Sequence, residues 1–146
     1  MTLERGAVVL VDLEPTLGHE QQGTHPCVVV SDPAVNGNQR FPLIAVVPVT
    51  STPASGALYP ALNPGPSGLT KPSTALVDQL RSINKQRIRR RYGCVSQAEM
   101  EAIDAGLCLF LGLDAEEDVS ALAPRQQAPG ERPPAGSGAR GSSMAS

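Results

Sequence analysis

Short, dense runs of β-branched and aliphatic residues, each cut off by proline or glycine, restrict this chain more than any other feature. Residues 7–13 (AVVLVDL), 27–31 (CVVVS) and 43–49 (LIAVVPV) are the clearest. Such runs have the length of strands, and β-branched side chains fit a pleated surface. Uninterrupted apolar stretches such as Val28-Val29-Val30 predict strands covered on both faces. Pro48 falls near the end of the third run and predicts a strand edge or exit. Residues 58–62 (LYPAL, weakened by Pro60), 73–80 (STALVDQL) and 92–95 (YGCV) are further strand candidates. The chain carries 14 Gly and 14 Pro, which favours turns over a helical bundle. Many short strands at close spacing predict a small barrel, mainly β with short α elements.

One helix is clear. Ser96 opens an S-x-x-E capping box with Glu99. Met100, Ile103, Leu107 and Phe110 follow at helical spacing, and Gly112 stops the run. Its apolar face should pack on the barrel. A second, short helix is expected over residues 33–38.

The composition changes near residue 114. Ala, Pro, Gly and Ser dominate the remainder, which lacks Ile, Phe and Tyr. Such a segment cannot bury enough apolar area to offset its ordering entropy. The expected organisation is therefore a barrel domain over 1–113 and a tail over 114–146, disordered from about residue 123.

Aromatic residues make up 3% of the chain and Trp is absent, which weighs against a stacking module of the RRM type. The net charge of -2 weighs against bulk coating of nucleic acid. That small value conceals segregation. Arg81, Lys85, Arg87, Arg89, Arg90 and Arg91 lie together with no acid among them; Glu99, Glu101, Asp104, Asp114, Glu116, Glu117 and Asp118 follow with no base. These are either two solvated faces or a basic rim that tracks phosphates. Cys27, Cys94 and Cys108 cannot all pair internally, and their apolar flanks predict buried thiols in a reducing cytosol. There is no signal-peptide pattern, no apolar stretch near the roughly 20 residues of a membrane helix, and no zinc-type spacing. The expected location is cytoplasmic.

At Gly18-His19-Glu20-Gln21-Gln22-Gly23-Thr24-His25-Pro26, followed by Val28-Val29-Val30-Ser31, the chain resembles the MazF/PemK family of bacterial toxins. The opening Arg5-Gly6, Val9 to Leu13, Pro15 and Gly18, the turn Pro48-Val49-Thr50-Ser51 and the segment Ala75-Leu76-Val77-Asp78-Gln79-Leu80-Arg81-Ser82-Ile83 also resemble the family. So do Gly93, Val95-Ser96, Met100, Ile103 and Leu111-Gly112-Leu113. Each piece is weak alone; four in order are specific. The resemblance implies an SH3-like barrel with a packed C-terminal helix, working as a homodimer. It implies a ribosome-independent endoribonuclease that cuts single-stranded RNA without metal or cofactor. It also implies inhibition by a MazE-like antitoxin whose C-terminal segment occupies the RNA groove.

Metal-free RNA cleavage uses the neighbouring 2′-OH as nucleophile. It needs a proton acceptor, a proton donor for the leaving oxygen, and donors for charge growing on the phosphate. The family places an Arg before the loop proline and a Thr at the end of the third strand. Here Thr50 holds the second position but His25 holds the first. Arg is always charged and forked for phosphate, whereas His titrates near neutrality. Three readings of His25 stand. It is an acid or base working with Thr50, or it marks an impaired site, or it is a bland loop residue. His19, where the family has Ser, is a second proton-transfer candidate or a tolerated loop residue. Glu20, Gln21, Ser51, Gln79, Arg81 and Lys85 are candidate RNA contacts, with turn and edge hydrogen bonding as the plainer account of Gln79.

Two other classes compete with the nuclease. One is a module that grips RNA or an acidic peptide without cutting it. The other is a gyrase-directed toxin of the CcdB type, which shares the barrel but not the GHEQQG loop or the Thr50-Ser51 turn. A zinc hydrolase is poorly supported, because Gly23 stands where H-E-x-x-H needs its second His.

Overall fold

The first two apolar runs form an antiparallel pair, β1 (Ala7–Asp12) and β2 (Thr24–Val29), with Val9 opposite Cys27 and Val11 opposite His25. The computed structural model describes residues 3–13 and 23–113. A short helix α1 (Pro33–Asn36) follows, its first turn capped by Asp32, whose carboxylate accepts from the Ala34 N–H at 2.8 Å. β3 (Leu43–Thr50) pairs antiparallel with β2, Cys27 facing Pro48.

β3 is long enough to hold two partners in succession on its other edge. β6 (Arg81–Asn84) runs along its first half, Leu43 opposite Asn84 and Val46 opposite Arg81. β5 (Ser73–Ala75) takes its last residues, Thr50 opposite Thr74, and β4 (Ala61–Leu62) adds to β5. Pro48 lies where β3 exchanges one neighbour for the other, and its carbonyl accepts from the Leu76 N–H at 2.8 Å. β7 (Ile88–Cys94) pairs with β1 on the far side, giving the order β4-β5-β3-β2-β1-β7 with β6 beside β3. One 3-10 turn (Lys85–Arg87) joins β6 to β7, so the sheet curls into a half-barrel. The mainly β barrel with a packed C-terminal helix expected from sequence is the architecture found.

Alternation along the strands divides the core in two. Val8, Val28, Val47 and Val49 meet Ile103 and Leu107 of helix α2 (Gln97–Leu111) on one face. Val9, Val11, Cys27, Val29, Ile44 and Val46 fill the other. This is why the apolar runs are continuous: neither face is left to water. Both arms of the capping box form, the Glu99 N–H donating to Ser96 Oγ (3.1 Å) and the Ser96 N–H to Glu99 Oε1 (2.9 Å). Gly112 closes α2 in the left-handed region, φ 69°. Arg5 ties the helix down, donating to both Asp104 oxygens (3.0 and 2.5 Å) and through Nε to the Val30 carbonyl (2.8 Å).

Four local expectations are corrected. Residues 73–80 are strand only over Ser73–Ala75, because Val77–Gln79 closes a 3-10 turn that buries Val77. The strand expected over 58–62 shrinks to Ala61–Leu62. The strand over 92–95 is the end of the longer β7, and β6 went unpredicted. Both carry the arginines that hide strand periodicity. Only Cys27 is fully buried; Cys94 and Cys108 are half-buried, and all three are free. No helix among the described residues is long and apolar enough to cross a membrane.

Candidate active site

His25 and Thr50 come from the facing ends of β2 and β3. Continuing the Cys27–Pro48 pairing by two residues sets them opposite each other. The pairing of His25 with Val11 places its side chain on the face occupied by Cys27 and Val46. Both residues line a cavity of about 240 Å³, with Pro26, Val49, Ser51, Leu69, Thr70, Lys71 and Ser73.

Local hydrogen bonds set the hydroxyls. The Thr52 N–H donates to Thr50 Oγ1 at 3.1 Å, an ST turn that orients the Thr50 hydroxyl while leaving its proton free to donate. Ser73 Oγ donates to the Lys71 carbonyl at 2.8 Å, which fixes the backbone of the opposite wall. Lys71 is exposed and makes no ion pair among the described residues. An imidazole, a preset hydroxyl and an ammonium around one cavity can take an anion and move a proton beside it. A larger cavity of about 650 Å³ beside α1 is lined by Pro33, Ala34, Gly37, Asn38, Gln39 and Arg40. It offers one charge and no acid–base group.

The sequence-predicted site residues divide. His25, Thr50 and Ser51 are brought together. Gln79 and Arg81 do not line the cavity; they lie further back along β3, where Arg81 faces Val46. Gln79 Oε1 and Arg81 Nη1 are buried without a hydrogen-bond partner among the described residues. Burial pushes the Cys27 thiol up to about 12, and the Arg81 charge acts against that rise. Lys85 is engaged elsewhere, its Nζ donating to the Val35 and Asn38 carbonyls at 3.0 Å each. His19, Glu20 and Gln21 lie outside the described residues. Thr70, Lys71 and Ser73 were missed, since nothing in the local sequence sets them apart until β5 carries them to the end of β3. Among the described residues, no three of His, Cys, Asp and Glu gather as metal ligands would.

The basic run is partly matched by acids near β1 rather than by those of α2. Arg89 pairs with Asp12 at 3.2 Å and Arg91 with Glu4 at 3.0 Å. Arg90 makes no ion pair among the described residues.

A family profile described as "PemK-like, MazF-like toxin of type II toxin-antitoxin system" matches residues 4–111. The chain belongs to this toxin family. The endoribonuclease MazF9 of Mycobacterium tuberculosis is 38% identical over 117 residues, which span 76% of this chain and 98% of that protein. MazF of Deinococcus radiodurans is similar in structure with a TM-score of 0.66 and 26% identity, covering 77% of this chain and 98% of its own. A mycobacterial endoribonuclease in complex with its cognate antitoxin has a TM-score of 0.63 and 26% identity, covering 77% of this chain and 97% of its own. Membership in the MazF-like family accounts for the half-barrel.

Proposed function

We propose that this chain is the toxin of a type II toxin–antitoxin pair and a metal-independent endoribonuclease. The observation that carries the reading is that His25, Thr50 and Lys71 line one cavity. In this scheme His25 takes the proton of the 2′-OH as its oxygen attacks phosphorus. The Thr50 hydroxyl and Lys71 stabilise the charge gathering on the phosphate oxygens. The P–O5′ bond breaks and leaves a 2′,3′-cyclic phosphate. The departing 5′-oxygen is protonated by a second acid, the part the sequence offers to His19. Ser51 sits beside Thr50 as a phosphate contact, and Gln79 and Arg81 line the route further back. The partners are single-stranded mRNA and a MazE-like antitoxin whose acidic segment competes for the same cations. The working form is a cytoplasmic homodimer.

The test is cleavage of a defined transcript in EDTA, with end-group analysis of the products. Thr50→Ala should slow cutting by roughly 10²-fold or more. Cyclic-phosphate ends identify the reaction, and RNA left uncut by both the native chain and His25→Arg refutes it in favour of a binding module. His25→Arg decides between two states of the site. With an active His25, the Arg form cuts more slowly, because a guanidinium is always charged and cannot take the 2′-OH proton. If His25 marks an impaired site, the Arg form cuts faster at every pH.

A further inference from the structure

β7 carries an exposed aromatic residue, Tyr92, beside Arg90, which makes no ion pair among the described residues. Leu10 of β1 is paired with Pro26 on one side and with Arg90 on the other. Cross-strand partners share a face, so Arg90 emerges on the face where Pro26 lines the cavity. With strands about 4.8 Å apart, the two residues stand roughly 10 Å from each other. The Arg90 guanidinium lies 5.4 Å from the centroid of the Tyr92 ring, which is 39% exposed. The loop between β4 and β5 joins this pair to the cavity. Its Gly68 packs against Tyr92, where an added Cβ would stand 2.5 Å from the Tyr92 Cβ. The next three residues, Leu69, Thr70 and Lys71, form the cavity wall.

We propose that Arg90 and Tyr92 form a secondary RNA subsite, in which Tyr92 stacks on a base and Arg90 contacts the flanking phosphate of a strand running past Lys71. An aromatic face beside a cation suits single-stranded nucleic acid, because every base offers a π-face and every linkage a negative charge. Arg90 lies over one face of the ring, and Tyr92 keeps 39% of its exposure for a base to meet. The low aromatic content of the chain makes this a single-base platform rather than a stacking sheet. The inference rests on the RNA-binding half of the proposed function and extends the footprint beyond the cavity.

The chain supplies its own probe. It has two tyrosines and no tryptophan, so Tyr59→Phe leaves Tyr92 as the only tyrosine emitter. The full-length Tyr59→Phe protein is titrated with a mixed-sequence 2′-O-methyl 12-mer, which lacks the nucleophile and stays intact, and with an abasic 12-mer. The expected result is quenching of Tyr92 by the first and not by the second. Tyr92→Ala and Arg90→Ala should each weaken 12-mer binding roughly tenfold, while Tyr92→Phe stays near native. Tyr92→Ala retains the Cβ on which Gly68 packs, and a native melting curve confirms its fold. Unchanged emission with unchanged affinity in both alanine variants overturns the platform. Quenching without any RNA cutting keeps it and refutes the nuclease; absence of binding overturns both.

Discussion

Gly93 of β7 lies directly against Pro66, so close that a Cβ on Gly93 would stand 2.0 Å from the Pro66 carbonyl oxygen. Backbone therefore meets backbone where the β4–β5 loop is seated, and that loop supplies Leu69, Thr70 and Lys71 to the cavity. Gly93→Ala should cost roughly 2–4 kcal/mol, since neither chain can yield without losing the seat. Urea melts measure it. A variant of native stability would show that the loop does not rest on β7.

Tyr59 donates its hydroxyl proton to Asp78 at 2.6 Å. That hydrogen bond, with burial and the carboxylate charge, pushes the phenol up to about 12. The folded value lies above the unfolded one of about 10. The contribution to stability is thus complete below pH 10 and is lost as pH rises through about 12. In Asp78→Asn, phenolate absorbance attributed to Tyr59 should appear at lower pH than in the native chain. Superimposable titrations would rule the pair out.

Cys27 is fully buried, and desolvation holds its thiol far from the thiolate. Only the thiolate reacts with alkylating agents. At pH 8, iodoacetamide should leave Cys27 unmodified in the native protein and modify it once urea unfolds the chain. Mass spectrometry of peptides locates the adduct. Native-state labelling of Cys27 would contradict the packing of β2 against β1 and β3.

The Arg5–Asp104 pair is bidentate, yet its side chains keep 35% and 40% of their exposure. Solvent screening limits such a pair, so its coupling energy in a double-mutant cycle should fall below about 1 kcal/mol. Arg5→Ala should cost somewhat more, about 1–2 kcal/mol, because it also strips the donor from the Val30 carbonyl. A larger coupling would mean that the pair is better shielded than its exposure indicates.

Much of the fold was legible where one local signal acted alone. Strands β1 and β3 followed from apolar runs, and α2 from Ser96, Glu99 and Gly112; β2 starts at Thr24, three residues before the run over 27–31, and ends at Val29. Arg-rich β6 and β7 were illegible, because Arg81, Arg89 and Arg91 sit on strands for reasons outside their own segment: Val46 faces one, and Asp12 and Glu4 pair with the others. Segment 73–80 alternates like a strand, but past the Leu76 N–H bond to the Pro48 carbonyl the chain turns, and the Gln79 N–H bonds back to the Leu76 carbonyl. At the site, Thr50 and His25 were legible through resemblance to a motif. Lys71 was not, since a lysine between Thr70 and Pro72 carries no signal until its loop is seated.

Sequence by itself determined the chemistry available: that the apolar runs are strands, where the C-terminal helix starts and stops, that a histidine precedes Pro26, and that the family is that of the MazF-like toxins. Such properties depend on side-chain type and short spacing, both local. Tertiary structure alone decided which groups meet. It set His25 across from Thr50, carried Lys71 to the same cavity, turned Lys85 onto α1, and left Arg90 beside Tyr92. Those outcomes depend on strand register and on one backbone resting on another at Gly93, and neither is written in any single segment.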